Sequence, residues 1–360
     1  MNFKKQSLLI LLSCMVFVML PLIGGGAEVG ELKPVELIFS SGWSPPDVGI
    51  AAKNVMIWQE KVTEASDGKI TFKNYWGGAL GGARDHIDMV EKGIADVVLT
   101  FGWLTESKLP IWDFHYVIPF QPVKDPGIIT KATLQLYDEI PAFKEQLAKV
   151  NCTMVMRFPA TPYVLASTTP INSVKDLEGK KIAAVGAYFS QWLKPLGASL
   201  VAAPKTERYS MLQLNVIDVS LDPYANLYEY DQVSMAPHVF NPEIFQAPGD
   251  SVFINLDTLN GLPQEYQDIL LDTGREVALM VGEELIGKAS DDIINKWKSG
   301  NPDFTMTTIS PEEKDWWGSV CPDTATPWAE KVEEQGYPGF EIIKRYKEIC
   351  TELGYDWPGK

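Results

Sequence analysis

Residues 35–75 read VELIFSSGWSPPDVGIAAKNVMIWQEKVTEASDGKITFKNY. The first five residues follow a strand pattern, and residues 51–65 carry large apolar side chains on one face of a helix. Residues 69–75 return to a strand pattern after a short connection. A strand, a helix and a second strand in this order predict an α/β fold rather than a helical or an all-β protein.

The same alternation continues along the chain. Further strands are predicted at residues 95–101, 152–156, 163–167, 182–185, 199–202 and 216–221, and helices at residues 87–93, 189–196 and 207–214. A long helix is predicted to begin at Pro263 and to pass Leu279, because proline is favoured in the first turn of a helix. The C-terminal region, residues 311–353, is also predicted to be helical. A chain of this length is typical of two domains.

The first 27 residues have the pattern of a secretory signal peptide. Two lysines precede the apolar residues 7–23, and small residues ending at Ala27 provide a cleavage site. Two alternatives remain open. Cys14 follows a lipobox-like Leu-Leu-Ser and could be lipidated, or the apolar segment could stay as an uncleaved anchor. Cleavage after Ala27 predicts a periplasmic protein that begins at Glu28.

Composition limits the partners of the exported chain. Without its first 27 residues the chain has 29 basic and 47 acidic residues, which is a formal net charge of −18. A surface this acidic argues against binding to nucleic acid or to anionic lipid.

Three cysteines remain after cleavage: Cys152, Cys321 and Cys350. In an oxidising compartment one pair can be bridged, and Cys321–Cys350 is the predicted pair because both residues lie in the C-terminal region. Three free thiols are the alternative. No cysteine or histidine spacing is typical of a metal site, so no metal and no cofactor are expected.

The sequence lacks the motifs of common enzymes. The three histidines stand alone, and there is no nucleophile elbow, zinc-protease helix or phosphate-binding loop. The glycine-rich segment GGALGG at residues 77–82 does not have the spacing of a dinucleotide fingerprint, since its glycines suit a simple turn. A binding protein is therefore favoured over an enzyme.

Aromatic side chains recur near the predicted strand ends in both halves of the chain. Each of them could simply pack in a core, but as a set they fit a cleft between two lobes, which is a preferred place for a small-molecule site. They are Trp43, Trp76, Phe101, Trp103, Tyr163, Tyr188 and Tyr224.

Four segments in order carry a resemblance to a known family. They are ALGGARDHIDMVEKGIADVVL at residues 79–99, Leu109-Pro110 followed by Ile118-Pro119-Phe120, PINSVKDLEGKKI at residues 170–182, and MLQLNVIDVSLDP at residues 211–223. With these segments the chain resembles the solute-binding proteins of tripartite ATP-independent periplasmic (TRAP) transporters, in the dicarboxylate-binding family. The similarity covers essentially the whole exported chain.

The resemblance implies a fold and a function. The fold is α/β, with two lobes, mixed sheets, hinge strands near Ala160 and Asp250, and a long domain-spanning helix. The function is capture of a small solute, usually an organic acid, between the closing lobes, and its delivery to the TRAP membrane permease by a receptor that is expected to be a monomer. An ABC permease or a sensor kinase as the partner, or a periplasmic enzyme with an atypical site, are the alternatives.

The same resemblance implies discontinuous lobes. Lobe I comprises residues 28–159 and 248–290, lobe II comprises residues 160–247 and 291–345, and residues 346–360 form a C-terminal tail.

The chain departs from the family pattern at the residues that usually bind the solute. The strand position that normally carries an arginine, which binds the carboxylate of the solute, is Ala183. A second arginine of some members falls on Tyr163, an acidic position on Phe101, and the asparagine of the D-G-x-E-N-P pattern on Asp222. Because burial of an unpaired carboxylate is costly, the usual clamp cannot operate here.

Three hypotheses follow for the solute. Lys205 or Arg157 could replace the arginine, the solute could be neutral or aromatic and stack among the aromatic side chains, or it could be a cation with Asp222 as counter-charge. The candidate ligand-binding residues are Ser41, Trp43, Phe101, Trp103, Arg157, Tyr163, Tyr188, Lys205, Asp222 and Tyr224.

Overall fold

The computed structural model describes residues 32–101, 107–184, 186–246 and 249–358. The predicted signal peptide and Trp103 lie outside these ranges. The chain divides into two units, residues 1–33 and residues 34–360, and the second unit is described below.

The second unit contains two mixed sheets. Sheet one has the strand order β2-β1-β3-β10-β4, and sheet two has the order β11-β9-β5-β8-β6-β7. The strands are β1 (Val35–Ser41), β2 (Ile70–Tyr75), β3 (Val97–Phe101), β4 (Cys152–Phe158), β5 (Tyr163–Ser167), β6 (Lys181–Ala184), β7 (Ser199–Ala202), β8 (Val219–Pro223), β9 (His238–Asn241), β10 (Asp250–Asn255) and β11 (Thr305–Thr308).

Helices surround both sheets. They are α1 (Ile50–Ala65), α2 (His86–Glu91), α3 (Pro126–Glu139), α4 (Ala142–Ala148), α5 (Ala187–Leu193), α6 (Arg208–Gln213), α7 (Tyr224–Glu229), α8 (Gln232–Met235), α9 (Leu256–Gly261), α10 (Gln264–Met280), α11 (Ile286–Gly300), α12 (Pro311–Val320), α13 (Ala325–Glu333) and α14 (Gly339–Glu352). Short 3₁₀ turns lie at Phe114–Val117, Val174–Leu177 and Lys194–Leu196.

Each sheet is parallel except where a crossing strand enters it. In sheet one, β1 pairs in parallel with β2 and β3, whereas β10 runs antiparallel to β3 and β4. In sheet two, β5 runs antiparallel to β8 and β9, and the remaining pairs are parallel. The chain passes from sheet one to sheet two between Phe158 and Tyr163, and it returns between Asn241 and Asp250.

The predicted long helix is present, with an irregularity in its middle. A π-helical turn at Val281–Leu285 joins α10 to α11 without a break. α10 packs on α1 and β4, and α11 packs on α7. The helix therefore contacts elements on both sheets, and the α/β fold with two mixed sheets, crossing strands and a domain-spanning helix is confirmed.

Close backbone contacts fix this helix in place. A Cβ atom at Gly274 would lie 2.3 Å from the carbonyl oxygen of Val155 on β4, so only glycine lets α10 rest directly on that strand. A Cβ atom at Gly282, in the π-helical turn, would lie 2.1 Å from Oγ1 of Thr130 on α3. Gly274 thus allows close contact between the helix and β4, and Gly282 allows close contact between the helix and α3.

The predicted elements are present, with small shifts at their ends. The strands at 163–167 and 199–202 agree at both ends, and the strand predicted at 216–221 begins later, at Val219. The sequence did not predict β9, β11, α3, α4, α7, α8 or α9, and β10 was expected only from the family resemblance, as a hinge strand near Asp250. The predicted lobe boundaries stay predictions, and the one at 345/346 falls inside α14.

The predicted Cys321–Cys350 disulfide is wrong. All three cysteines of the described part of the chain are free thiols. Cys350 is fully buried on α14, whereas Cys321 follows α12 and packs against the apolar side chains of sheet two. None of the helices in the described residues is both long and apolar enough to cross a lipid bilayer.

Candidate functional site

A cavity of about 290 Å³ lies where the chain crosses between the two sheets. Its floor is the crossing segment from Phe158 to Thr161. One wall comes from elements of sheet one and the other from the loop before α6 and from α7. The first wall carries Trp43, Ser44, Phe101 and Asp250, and the second wall carries Lys205, Asn226, Glu229 and Tyr230.

Trp43 is fixed in the first wall by three contacts. Its backbone N–H donates to Oγ of the buried Ser41 over 3.1 Å. Its ring meets Phe101 edge to face at a centroid distance of 4.9 Å, and its Nε1 donates to Oδ1 of Asp250 over 3.2 Å. The indole therefore presents a rigid apolar surface to the cavity.

Lys205 extends from the second wall across to the first. Its Nζ lies 4.9 Å from the ring centroid of Trp43 and 5.1 Å from that of Tyr230. The faces of both rings attract an ammonium ion. No carboxylate oxygen of the described residues lies within 4.0 Å of this nitrogen, so its charge is not neutralised by an ion pair.

Asp250 is the first residue of β10 and lines the cavity. The residue is 4% exposed, and burial raises the pKa of its carboxyl to about 7, although Lys205 and the Trp43 indole act in the opposite direction. Asp250 is the register partner of Phe101 on β3. An acidic side chain thus lies beside position 101, where the family resemblance leads us to expect an acid, but it belongs to the neighbouring strand.

A second polar contact crosses the cavity at its mouth. The hydroxyl of Ser44 donates to Oε1 of Glu229, which ends α7. Glu229 thus lines the cavity with one carboxylate oxygen already in use.

Asp222 belongs to a buried ion pair behind the second wall. Nη1 of Arg208 donates to its Oδ2 over 2.9 Å, and Nδ2 of Asn226 donates to its Oδ1 over 2.8 Å. Burial raises the pKa of Asp222, while Arg208 and Asn226 lower it. With both oxygens engaged, Asp222 orients the amide of Asn226 instead of facing the cavity.

Arg208 lies near Ala183 on the same face of sheet two. Ala183 is fully buried on β6 and is the register partner of Ser220 on β8, so their side chains share one face of sheet two. Nη1 of Arg208 lies 3.3 Å from Oγ of Ser220, on that same face. A guanidinium is therefore present near the expected place, but it comes from α6 and its charge is matched by Asp222.

The predicted site residues fall into four groups. Trp43, Phe101 and Lys205 line the cavity, and Ser41 and Asp222 support lining residues through hydrogen bonds. Trp103 lies outside the described residues. Arg157, Tyr163, Tyr188 and Tyr224 do not line the cavity.

Arg157 is buried within sheet one. Its Nη1 donates to the carbonyl oxygen of Trp112 over 2.9 Å, its guanidinium stacks 4.6 Å from the Trp112 ring centroid, and its Nη2 lies 3.5 Å from Oδ1 of Asp113. Burial lowers the pKa of Arg157 to about 10.

The three tyrosines pack in sheet two. The ring of Tyr163 lies 5.3 Å from Phe189 and 5.1 Å from Phe245, and Tyr188 packs against the same cluster. Tyr224 packs 5.9 Å from Trp297 on the opposite face.

The sequence reading missed Asp250, Asn226, Glu229 and Tyr230 as lining residues. The last three follow the DVSLDP segment on a helix, at the spacing of one helical face: residues 226, 229 and 230. That spacing was a usable signal. Asp250 had none, because its proximity to Trp43 depends on pairing between β3 and β10.

No group of acidic, histidine and cysteine residues in the described ranges could hold a metal ion.

Comparison with known proteins gives the family. Residues 41–329 match the family described as bacterial extracellular solute-binding protein, family 7. An uncharacterized Salmonella typhimurium protein, YiiZ, is 24% identical over 284 residues, which cover 73% of this chain and 79% of that protein. A solute-binding protein of a Sulfitobacter strain is 25% identical over 243 residues, covering 65% and 70%.

Solved structures share the fold. A TRAP periplasmic solute-binding protein from Desulfovibrio salexigens superposes with a TM-score of 0.77 at 19% identity, covering 91% of this chain and 97% of that one. A marine metagenome TRAP protein specific for aromatic acid ligands, in complex with 3-hydroxybenzoate, gives 0.76 at 20% identity, covering 90% and 100%. The ectoine-binding protein of Halomonas elongata gives 0.72 at 21% identity, covering 88% and 100%. The two-sheet fold, the cavity at the crossing strands and the match over residues 41–329 together show that this chain belongs to family 7 of the bacterial extracellular solute-binding proteins.

Proposed function

We propose that this protein is an extracytoplasmic receptor that captures a small organic acid with an apolar, aromatic body and delivers it to the permease of a TRAP transporter. Lys205 pairs with the carboxylate, and the aromatic side chains of the first wall pack against the body of the solute. The observation that carries the proposal is that Lys205 is the one cationic side chain among the described residues that line the cavity.

Lys205 is available for a solute. Its ammonium is held by the faces of two rings, and contacts of this kind contribute about 0.5–2 kcal/mol each. A carboxylate forms a charge-assisted hydrogen bond with an ammonium, which is roughly twice as strong as a neutral one. A bound carboxylate can therefore join the rings as a partner of Lys205 or displace one of them.

The walls suit an aromatic body. Trp43, Phe101, Phe158 and Tyr230 line the cavity together with Ile50 and Ile286. The volume of about 290 Å³ lies at the lower end of the range for small-molecule sites, which favours a compact solute. The specificity of the marine metagenome relative for aromatic acids supports the choice of such acids as first probes.

An amine is the second candidate, and a specific observation favours it. Glu229 and Asp250 both line the cavity, so an amine could pair with either of them. Asp222, the counter-charge that the sequence suggested, is already matched by Arg208. An amine would have to pair with Glu229, which already accepts from Ser44, or with an ionised Asp250, whereas the acid has a cation that no ion pair engages among the described residues.

The mechanism is a shift between open and closed forms. The solute binds to one lobe and then contacts the other, and these additional contacts favour closure about the crossing strands. The protein binds its solute without converting it. The N-terminal segment directs export to the periplasm, where the receptor and the permease meet.

A thermal-shift screen tests this function. The exported chain, beginning at Glu28, is mixed with benzoate, 3-hydroxybenzoate and mandelate, with benzylamine, and with neutral benzyl alcohol. At a hundredfold excess over Kd, a bound solute stabilises the protein by about 2.7 kcal/mol, which gives a clear rise in Tm. We expect shifts with the carboxylates. Shifts with benzylamine alone would exclude the acid, and turnover of any of these compounds would identify an enzyme.

A further inference from the structure

Asp250 lines the same cavity as Lys205. Its Oδ1 accepts the hydrogen bond from the indole of Trp43, the same residue whose ring contacts Lys205. No described residue donates to its Oδ2, and this oxygen is not sealed from the cavity. This oxygen therefore keeps some contact with the cavity and has no hydrogen-bond donor from the described residues.

The charged and titratable groups around Asp250 come from several elements. Lys205 and Glu229 line the cavity on the second wall, and the Arg208–Asp222 pair lies behind it. The Arg157–Asp113 pair is buried behind the first wall, beside β10. Burial raises the pKa of both Tyr116 and Tyr163 well above 10, so these phenols stay neutral below that value. Lys205 is the one charged group among the groups that shift the pKa of the Asp250 carboxyl.

An ionised Asp250 and a bound carboxylate would compete for the same cation. Two carboxylates in a confined site repel each other, which raises the affinity of one of them for a proton. A protonated Asp250 has an O–H that can donate to the solute carboxylate, as Lys205 does from the other side. Both groups would then hold the anion without leaving a buried negative charge unpaired.

We infer that Asp250 is a specificity-determining residue that binds the solute carboxylate as the neutral acid, so that capture of an anion is coupled to uptake of one proton from water. This inference rests on the proposed function, since it concerns the charge of the same solute. No covalent bond changes, and the proton returns to water when the solute leaves. The pKa of about 7 in the empty site means that protonation needs little free energy near neutral pH.

The test is calorimetric titration with 3-hydroxybenzoate between pH 6 and 8.5. For the wild-type protein, we expect a constant Kd below about pH 7 and, above it, a Kd that rises up to about tenfold per pH unit, because the proton must be restored before the anion binds. The heat of binding at pH 8 should differ between buffers of different ionisation enthalpy by the amount that one proton per solute requires.

Two variants assign the effect. Asp250→Asn keeps an oxygen that accepts from Trp43 and an N–H₂ that can donate, so its Kd should be nearly independent of pH. Glu229→Gln removes the other cavity carboxylate and should retain the wild-type dependence. A wild-type Kd that stays constant to pH 8.5, or a dependence that is lost in Glu229→Gln and kept in Asp250→Asn, overturns the inference.

The failure of this inference is distinct from failure of the proposed function. If 3-hydroxybenzoate, benzoate and mandelate all fail to bind at pH 6, both the organic acid and the coupled proton are excluded. If they bind with the same Kd at every pH and with no buffer-dependent heat, only the role of Asp250 is wrong. The buffer comparison uses the wild-type protein, so it decides the matter even if a variant does not fold.

Discussion

The ammonium of Lys205 lies 4.9 Å from the ring centroid of Trp43, and this contact crosses the cavity. Trp43 follows β1 in sheet one, whereas Lys205 follows β7 in sheet two. The hydrogen bond from Ser44 to Glu229 crosses at the same place. The two walls are thus joined by polar contacts that involve a cation, an aromatic ring and a carboxylate, and a bound organic acid would use the first two.

The buried pair of Arg208 and Asp222 predicts a large stability effect. Arg208 is 1% exposed, and its replacement in Arg208→Ala leaves the Asp222 carboxylate buried without its cation. Breaking such a pair typically costs about 3–5 kcal/mol of unfolding free energy. Urea unfolding followed by circular dichroism measures this loss. The double variant Arg208→Met/Asp222→Leu should recover most of it, since neither charge then remains.

Arg345→Ala is the control for this experiment. Arg345 pairs with Glu139 and Glu352 on the protein surface, where solvent screens the charges, so its loss should be much smaller. Equal losses in the two single variants would show that burial of the Arg208–Asp222 pair does not matter.

Asp250 should make the stability of the unliganded protein fall as pH rises. The pKa of Asp250 is about 7 in the folded protein and ordinary, near 3.8, in the unfolded chain. Between these values the folded state holds a proton that the unfolded state has released, so stability falls as pH increases from about 4 to about 7 and is constant above. The shift corresponds to roughly 4 kcal/mol, taking about 1.36 kcal/mol per unit.

Chemical unfolding at pH 4.5 and pH 8 checks this pH dependence. Asp250→Asn cannot titrate, so we expect it to be more stable than the wild type at pH 8 by a few kcal/mol and similar to it near pH 4.5. A wild type and a variant that differ by the same amount at both pH values would show that Asp250 has an ordinary pKa.

Two glycines of the long helix should respond in opposite ways to alanine. In Gly282→Ala the new Cβ would lie 2.1 Å from Oγ1 and 2.8 Å from Cβ of Thr130, and such overpacking costs about 1–3 kcal/mol. In Gly287→Ala nothing lies within 4 Å of the new Cβ, so the better helix propensity should stabilise the protein by up to about 1 kcal/mol. Thermal unfolding of both variants measures the difference. Similar Tm values would mean that α3 does not press against the π-helical turn.

The fold could be predicted from local patterns because strands and helices of this chain follow simple periods. β5 and β7 were placed at both ends, and the long helix was found from its first proline. β9 and β11 were missed although they are as long as β7, because their segments HVFN and TMTT do not contain a run of apolar residues like the one that marks β7. The disulfide prediction was wrong because two cysteines that lie in the same region of the sequence need not be placed in space so that they can form a bond.

The site was only partly predictable, for a related reason. Trp43 and Phe101 could be found because they lie near the ends of strands, and Lys205 because the family resemblance places a pocket side chain there. Asp250 could not, since its role depends on strand register with Phe101 and on burial, which raises its pKa. The arginine that the family usually carries at position 183 is replaced by Ala183, and the guanidinium near that place comes from Arg208 on another element. A charge that moves from one element to another in this way leaves no local signal in the sequence.

The most direct test of the central claim is the Kd of 3-hydroxybenzoate for the Lys205→Met variant at pH 6.5. Methionine keeps most of the apolar stem but removes the charge, so the lost ion pair should weaken binding by about 2–5 kcal/mol, at least thirtyfold. The exposed control Lys194→Met should bind as the wild type does. If Lys205→Met binds the carboxylate as tightly as Lys194→Met, Lys205 is not the partner of the solute and the organic-acid account is contradicted.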